Sequence, residues 1–395
     1  MLPPISIATS AAVSGVALAA LATFARWAAP AAFTHRAARA TFAAVFAVAF
    51  TSHLAWQYGT SLGSFAASYW GCNAALVTTV VLACGLVALP LAVVVHGAAR
   101  LVPTRLVDAA LVDRRTFLTA SAAVVPTLAM SVGAAGFAGG AAAASTPRRL
   151  IRSRILPPAL DGLRILQLSD LHLGAGRELG DLERLFARLR DRGAVPDLIV
   201  LTGDVAEDLR LLPTALDLVR QLGARHGAFA ALGNHEHIHG VRAARRIFDA
   251  SDVRLLVDDA AVLDVRGARL ALVGVDDPIV AHGDVGALLR GPIDKAFARV
   301  APADAFRVLL CHRPEGFEHA AAAGCGLTLS GHTHGGQIGF AGKSAFEPLF
   351  PDGYLWGSYR RGDASLYTTA GFGAWFPFRL GCPSEAPLLE LRAGD

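Results

Sequence analysis

The sequence predicts an α/β domain preceded by a membrane-helical region, and three observations carry that reading. Residues 1–25, 40–99 and 116–147 contain no Asp, Glu, Lys or Arg. From Leu163 onward, short β-like apolar runs alternate with helical stretches. The side chains able to do chemistry fall at the ends of those runs, where ligand sites form in open α/β sheets.

The first observation divides the chain. Its 395 residues suffice for two domains or more. Residues are 53% hydrophobic and only 17% charged, against about 25% charged in a soluble domain. The apolar excess lies in the first 145 residues, so 1–145 reads as transmembrane, 146–160 as a linker and 161–395 as the soluble domain. A spanning helix needs about 20 apolar residues, which gives four spans at roughly 5–25, 40–58, 74–97 and 116–140. His53 and His96, near span ends, are their ionisable groups. A transporter places more charge at mid-membrane, so the spans read as an anchor.

The short loops orient that anchor. Loop 1–2 holds Arg26, Arg36 and Arg39; loop 3–4 holds Arg100, Arg105, Arg114 and Arg115 against Asp108 and Asp113. The positive-inside rule then puts both loops in the cytoplasm and the soluble domain on the extracytoplasmic side. Arg148, Arg149, Arg152 and Arg154 oppose this, since they would have to cross. Asp113-Arg114-Arg115-Thr116-Phe117-Leu118 resembles a twin-arginine export signal, or is a positive cap on the fourth span. The net charge of +4 comes from dispersed Arg without a nucleic-acid-binding pattern, so no nucleic acid is expected. None of the five Cys forms a C-x-x-C pair, which argues against a thiolate zinc site or a disulfide framework.

The soluble part has apolar runs at 164–168, 197–201, 228–232, 270–275, 306–311 and 327–330, with helical stretches at 181–192, 213–223, 241–250 and 315–323. The run ends read Ser169-Asp170-Leu171-His172, Gly203-Asp204, Gly233-Asn234-His235-Glu236, Cys311-His312 and Gly331-His332-Thr333-His334. In extended chain, residues two apart face the same way, which pairs Asp170 with His172 and His332 with His334. Mixed oxygen and imidazole donors suit Mn, Fe or Zn better than Ca or Mg. Seven donors exceed one tetrahedral site but fit two sites sharing a carboxylate. Two ions about 3.5–4 Å apart can clamp both oxygens of an in-line phosphoryl displacement.

Together these motifs resemble the calcineurin-like metallophosphoesterases, complete and in order from Asp170 to His334. The resemblance implies a four-layer αββα sandwich. It implies that Asp170, His172, Asp204 and His334 hold one divalent ion, and that Asp204, Asn234, His312 and His332 hold a second. His235 would stabilise the transition state or protonate the leaving oxygen, and Glu236 would orient His235. The Gly335-Gly336-Gln337-Ile338 run and the tail Gly371-Phe372-Gly373 … Pro377-Phe378-Arg379-Leu380-Gly381-Cys382-Pro383-Ser384-Glu385 are similar to a membrane-associated bacterial branch. That branch includes twin-arginine-exported or membrane-tethered phosphodiesterases, with relatives linked to pyrophosphate cleavage in UDP-diacylglucosamine. Ser384 stands where that pattern has a second proline. The resemblance covers roughly 160–392 and says nothing about the spans.

Other residues keep two readings. His237 and His239 line the cleft or face solvent. Asp276 and Asp277 cap a turn or meet substrate. Arg313 meets a phosphate or forms a salt bridge, and Gln337 is a candidate donor to a metal-bound His. The aromatic-rich segment Gly339–Phe378 is a lid with its own core or an apolar wall toward a membrane or acyl chain. The expected activity is metal-dependent hydrolysis of a phosphodiester or pyrophosphate bond, with a lipid-linked substrate favoured. The rivals are a phosphomonoesterase or nucleotide hydrolase, and a non-catalytic scaffold.

Overall fold

The computed structural model describes residues 4–28, 34–62, 64–101, 114–279, 283–300, 305–374 and 376–394. Arg105, Asp108, Asp113 and Trp375 lie outside the described residues. The chain forms two compact units, Met1–Ala138 and Gly139–Asp395.

The first unit is helical: α1 (Pro4–Ala28), α2 (Arg36–Ser61), α3 (Phe65–Leu101) and most of α4 (Arg114–Ala141). Each is long and apolar enough to cross a membrane, over Ile7–Ala28, Arg36–Gly59, Trp70–Ala98 and Val124–Ala141. Ala17, Leu21 and Leu82 pack together between helices. His53 is buried and satisfied, with Ser10 Oγ 3.0 Å from Nε2 and the Ala49 carbonyl 2.7 Å from Nδ1.

The second unit has two six-stranded sheets. In chain order its elements are β1 (Arg148–Ser153), β2 (Arg164–Leu168), α5 (Leu179–Asp191), β3 (Leu198–Thr202), α6 (Leu212–Leu222), β4 (Ala228–Ala231) and α7 (Asn234–Asp249). There follow β5 (Val253–Leu255), β6 (Asp259–Val265), β7 (Ala268–Gly274), α8 (Val285–Phe297), β8 (Phe306–Leu310), α9 (Phe317–Ala322) and β9 (Leu327–Ser330). A short hairpin, β10 (Gly339–Phe340) and β11 (Lys343–Ser344), precedes β12 (Gly357–Arg361), β13 (Ala364–Thr368) and β14 (Leu388–Ala393). The sheets run β1-β14-β2-β3-β4-β5 and β12-β13-β9-β8-β7-β6.

Strand alternation builds the layers. Ile165, Leu198 and Val200 of the first sheet face Leu272, Val308, Leu310 and Leu329 of the second in one core. Their neighbours Leu166, Ile199 and Leu201 face outward onto Leu185, Leu216 and Phe248 of α5, α6 and α7. On the far side, Val273 and Leu309 pack on Leu289 and Ile293 of α8. The order is helix, sheet, sheet, helix.

The stretch 146–160, expected as a linker, contains β1, which pairs in parallel with β14. Within Gly339–Phe378, β12 and β13 extend the second sheet and pair with each other antiparallel. Trp356 is buried there, and its Nε1 donates to Glu385 at 3.0 Å. Among the described residues of this segment, the exposed large apolar side chains are instead Phe340, Leu349 and Phe350. Ser384, at the position expected to be proline, accepts a 2.9 Å hydrogen bond from Arg177, which also donates to the Ala142 carbonyl.

Candidate metal centre

Parallel strands β2, β3, β4, β8 and β9 end at one edge of the sandwich, and each delivers donors there. The turns are unusually constrained. Asp170, His172, Asp204, His332 and His334 all adopt positive φ, between 46° and 66°. Non-glycine residues rarely do so without compensation, and such strain collects at functional sites. Gly331 and Gly233 give the carboxylates room. A Cβ on Gly331 would sit 2.1 Å from Asp170 Oδ2, and one on Gly233 2.2 Å from Asp204 Oδ1.

Among the described residues, donor atoms converge in three groups, each within 4.8 Å: Asp170–His172–His334, Asp204–His312–His332 and His172–Glu207–His235, of which the first two are made of expected ligands. Asp170, His172, Asp204, His312 and His334 are buried, and Asn234 and His332 half-buried. Asp204 lies between the groups. Its Oδ1 accepts the His235 backbone N–H at 2.9 Å. Its Oδ2 is approached by Nε2 of His312 at 3.1 Å and by Nε2 of His172 and of His235 at 3.9 Å. Asn234 Oδ1 is 3.2 Å from His312 Nε2.

Hydrogen bonds at the outer nitrogens set the ring tautomers. His312 Nδ1 donates to the Thr202 carbonyl at 2.7 Å. His172 Nδ1 donates to Glu207 at 2.5 Å. In each neutral ring the inward Nε2 is left with its lone pair. His172 Nε2 and His334 Nε2 then face each other at 3.2 Å. The inward lone pairs of His172 and His312, with carboxylates beside them, fit a cation, and imidazole plus carboxylate is a first-row donor set.

The electrostatics agree. Burial would raise the Asp204 carboxyl, but His312, His172 and His235 outweigh it and hold that group well below the carboxylate range. Burial lowers His312, yet Asp204 and Asp170 win and push it up to about 10, so that without an ion the carboxylates favour the protonated ring, whose proton an ion would have to displace. Burial keeps Asp170 above its ordinary value. His332 falls to about 3 through burial and the neighbouring His312 and Arg313, which keeps it neutral as a ligand must be.

Two expected roles change, and Arg313 takes the salt bridge, one of its two readings. Glu236 does not orient His235. Its buried carboxylate accepts the backbone N–H groups of Gly233, Asp204 and Val205 at 2.8, 2.9 and 2.7 Å, bracing two ligand turns against each other. The carboxylate beside the His235 ring is Glu207, whose Oε1 lies 2.6 Å from Nδ1, an ion-pair contact off the hydrogen-bond line. Gln337 serves no histidine ring either: its amide donates to the Phe376 carbonyl at 2.7 Å. Arg313 is buried against Asp277 and His332.

Glu207 escaped the sequence reading. It collects His172, His235 and, at 2.5 Å, His239. Burial would raise its carboxyl, but the three rings hold it far below its ordinary value. The available signal was its place three residues after Asp204. His235 is lowered by burial but carried up to about 8 by Glu207 and Asp204. His237 pairs with Asp276 at 2.7 Å, and Asp277 holds Arg313.

Sheet order and donor set together fit a metal-dependent phosphoester hydrolase. Residues 163–336 match the family model "Calcineurin-like phosphoesterase", and the chain carries a calcineurin-like metallophosphoesterase domain. It is 28% identical over 256 residues to the uncharacterized metallophosphoesterase YkuE of Bacillus subtilis, covering 63% of this chain and 85% of that one. It is 29% identical over 290 residues to the phosphodiesterase YaeI of Escherichia coli, covering 71% of this chain and all of that one. It is 30% identical over 260 residues to a bovine transmembrane protein with metallophosphoesterase domain, covering 60% of this chain but only 55% of that one.

Proposed function

We propose that this chain is a membrane-anchored phosphodiesterase using two divalent ions, Mn, Fe or Zn, on a phosphodiester or pyrophosphate bond of a lipid-linked substrate. The observation that carries the reading is Asp204 Oδ2, which three imidazoles approach between two donor groups. Asp170, His172, Asp204 and His334 would hold one ion, and Asp204, Asn234, His312 and His332 the other. When bound, such ions neutralise phosphoryl charge and make water a nucleophile at neutral pH.

The chain's own residues do the rest. His235 is drawn toward its protonated form by Glu207 and Asp204, so near neutral pH it holds a proton at Nε2, facing the centre. It gives that proton to the departing oxygen. Glu207 holds the opposite side of the ring. Glu236 keeps the Asp204 and Asn234 turns in register.

The four membrane-length helices support a substrate presented at a bilayer, and the exposed Phe340, Leu349 and Phe350 support an apolar approach. The positive loops favour an extracytoplasmic catalytic domain, which protease accessibility in spheroplasts tests. The full-length chain in detergent, loaded with Mn²⁺, is to be assayed on a bis-aryl phosphodiester, an aryl phosphomonoester and a lipid pyrophosphate. The diester and the lipid pyrophosphate are expected to turn over at least tenfold faster than the monoester, and D204A to abolish turnover. Preference for the monoester would overturn the substrate class, and an active D204A the site.

A further inference from the structure

Arg313 follows His312 at the end of β8, and its side chain is 8% exposed. Its Nε donates to Asp277 Oδ2 at 2.7 Å. Asp277 is itself pinned, with Oδ1 accepting the Ile279 N–H at 2.7 Å. The guanidinium is thus anchored on one edge, while Nη1 reaches inward to His332 Nε2 at 3.1 Å.

Counting protons at that contact has a consequence. Arginine has only donors, so His332 Nε2 must be the acceptor and must carry its lone pair there. If His332 gives an ion Nε2, that lone pair is taken. If it gives an ion Nδ1, the single ring proton moves to Nε2, which becomes a donor facing a donor. By either nitrogen, coordination at His332 deprives Nη1 of its acceptor. The cation cannot lose a proton, and Asp277 holds it in place. An anionic oxygen is the partner such a buried donor lacks.

We propose that Arg313 is an anion-gripping residue armed by metal binding: occupation of His332 turns its Nη1 from the imidazole to a phosphoryl oxygen of the substrate. This rests on the proposed metal role of His332. It makes metal and anion mutually reinforcing, since the factor by which one tightens the other is the same in both directions.

The test titrates the chelator-stripped full-length chain with Mn²⁺ by calorimetry, with and without inorganic phosphate. In the unsubstituted chain phosphate tightens Mn²⁺ binding. In R313Q the tightening factor is expected to fall about 10–100-fold, the worth of a hydrogen bond to a charged group. Mn²⁺ affinity without phosphate is expected to stay equal or rise, because nothing then competes for His332. If Arg313 merely supported His332, R313Q would weaken Mn²⁺ binding without phosphate and leave the tightening factor intact, which overturns the proposal. An unchanged tightening factor overturns it as well. Should R313Q fail to fold, R313K decides: one nitrogen cannot hold Asp277 and reach inward together, so the factor drops there too, and full retention is the refuting result. Failure of the unsubstituted chain to bind Mn²⁺ would sink the metal reading itself, whereas intact binding with unaltered coupling sinks only this inference.

Discussion

Replacing Glu207 with Gln isolates the carboxylate that the centre depends on from outside its donor set. Gln keeps the length and one oxygen. That oxygen can stand in for Oε1 beside His172 and His235, 2.5 and 2.6 Å away, while the new amide group faces His239 Nε2 with a donor. The charge that makes His172 a strong ligand and draws His235 toward protonation is gone. Loss of a partner behind a metal-binding histidine costs about 10–100-fold in affinity or activity, or about 1.4–2.8 kcal/mol. We therefore expect E207Q to bind Mn²⁺ 10–100-fold more weakly in a calorimetric titration. At saturating Mn²⁺ its kcat is expected to fall further, because a smaller share of His235 then holds the proton near neutral pH. E207A, which removes both oxygens and so all three contacts, falls below E207Q on both counts. A native circular-dichroism spectrum with unchanged Mn²⁺ affinity and kcat in E207Q would refute the reasoning.

Two further outcomes follow from single positions. Gly331→Ala places a Cβ 2.1 Å from both Asp170 Oδ2 and Ser169 Oγ; overpacking of this kind costs about 1–3 kcal/mol, and thermal unfolding with Mn²⁺ titration is expected to show lost stability and lost binding together. Asp181 caps the start of α5 by accepting the Glu178 N–H at 3.0 Å; burial raises its carboxyl, but Glu178, Arg184 and Arg177 outweigh that and hold it below its ordinary 3.8. A depressed carboxylate contributes stability that is present above about pH 3.8 and is lost on acidification. Asp181→Ala is thus expected to cost about 0.5–2 kcal/mol at pH 7 and progressively less below pH 4 in hydrogen exchange of the α5 amides.

The donor residues were legible because their chemistry and spacing are inseparable: an Asp-x-His or His-x-His at the end of an apolar run leaves few alternatives. The run ends of β2, β3, β4, β8 and β9 carried the order of the site for the same reason. Roles that depend on which neighbour a side chain reaches were not legible. Glu236 looked like a partner for the adjacent His235, but the start of α7 turns its carboxylate back onto three backbone N–H groups. Glu207 and Asp277 gain meaning only once β3 and β7 bring them beside partners distant in sequence, imidazole rings for Glu207 and the Arg313 guanidinium for Asp277. β1 was hidden because Arg148, Arg149 and Arg152 read as a membrane-proximal charge run, whereas on an edge strand half the side chains are free to be charged. α8 was missed because Gly286, Gly291 and Pro292 interrupt its apolar pattern.

The placement of β14 between β1 and β2 sets the order in which this protein can be made. On a ribosome the four hydrophobic helices emerge before β1, whose only strand partner among the described residues lies at 388–393. Until β14 is synthesised, β1 lacks its strand partner and β2 presents a bare hydrogen-bonding edge. The hydrolase unit therefore cannot close before Leu388–Ala393 has been made, and a nascent chain stalled before Leu388 is an aggregation hazard rather than a slower enzyme.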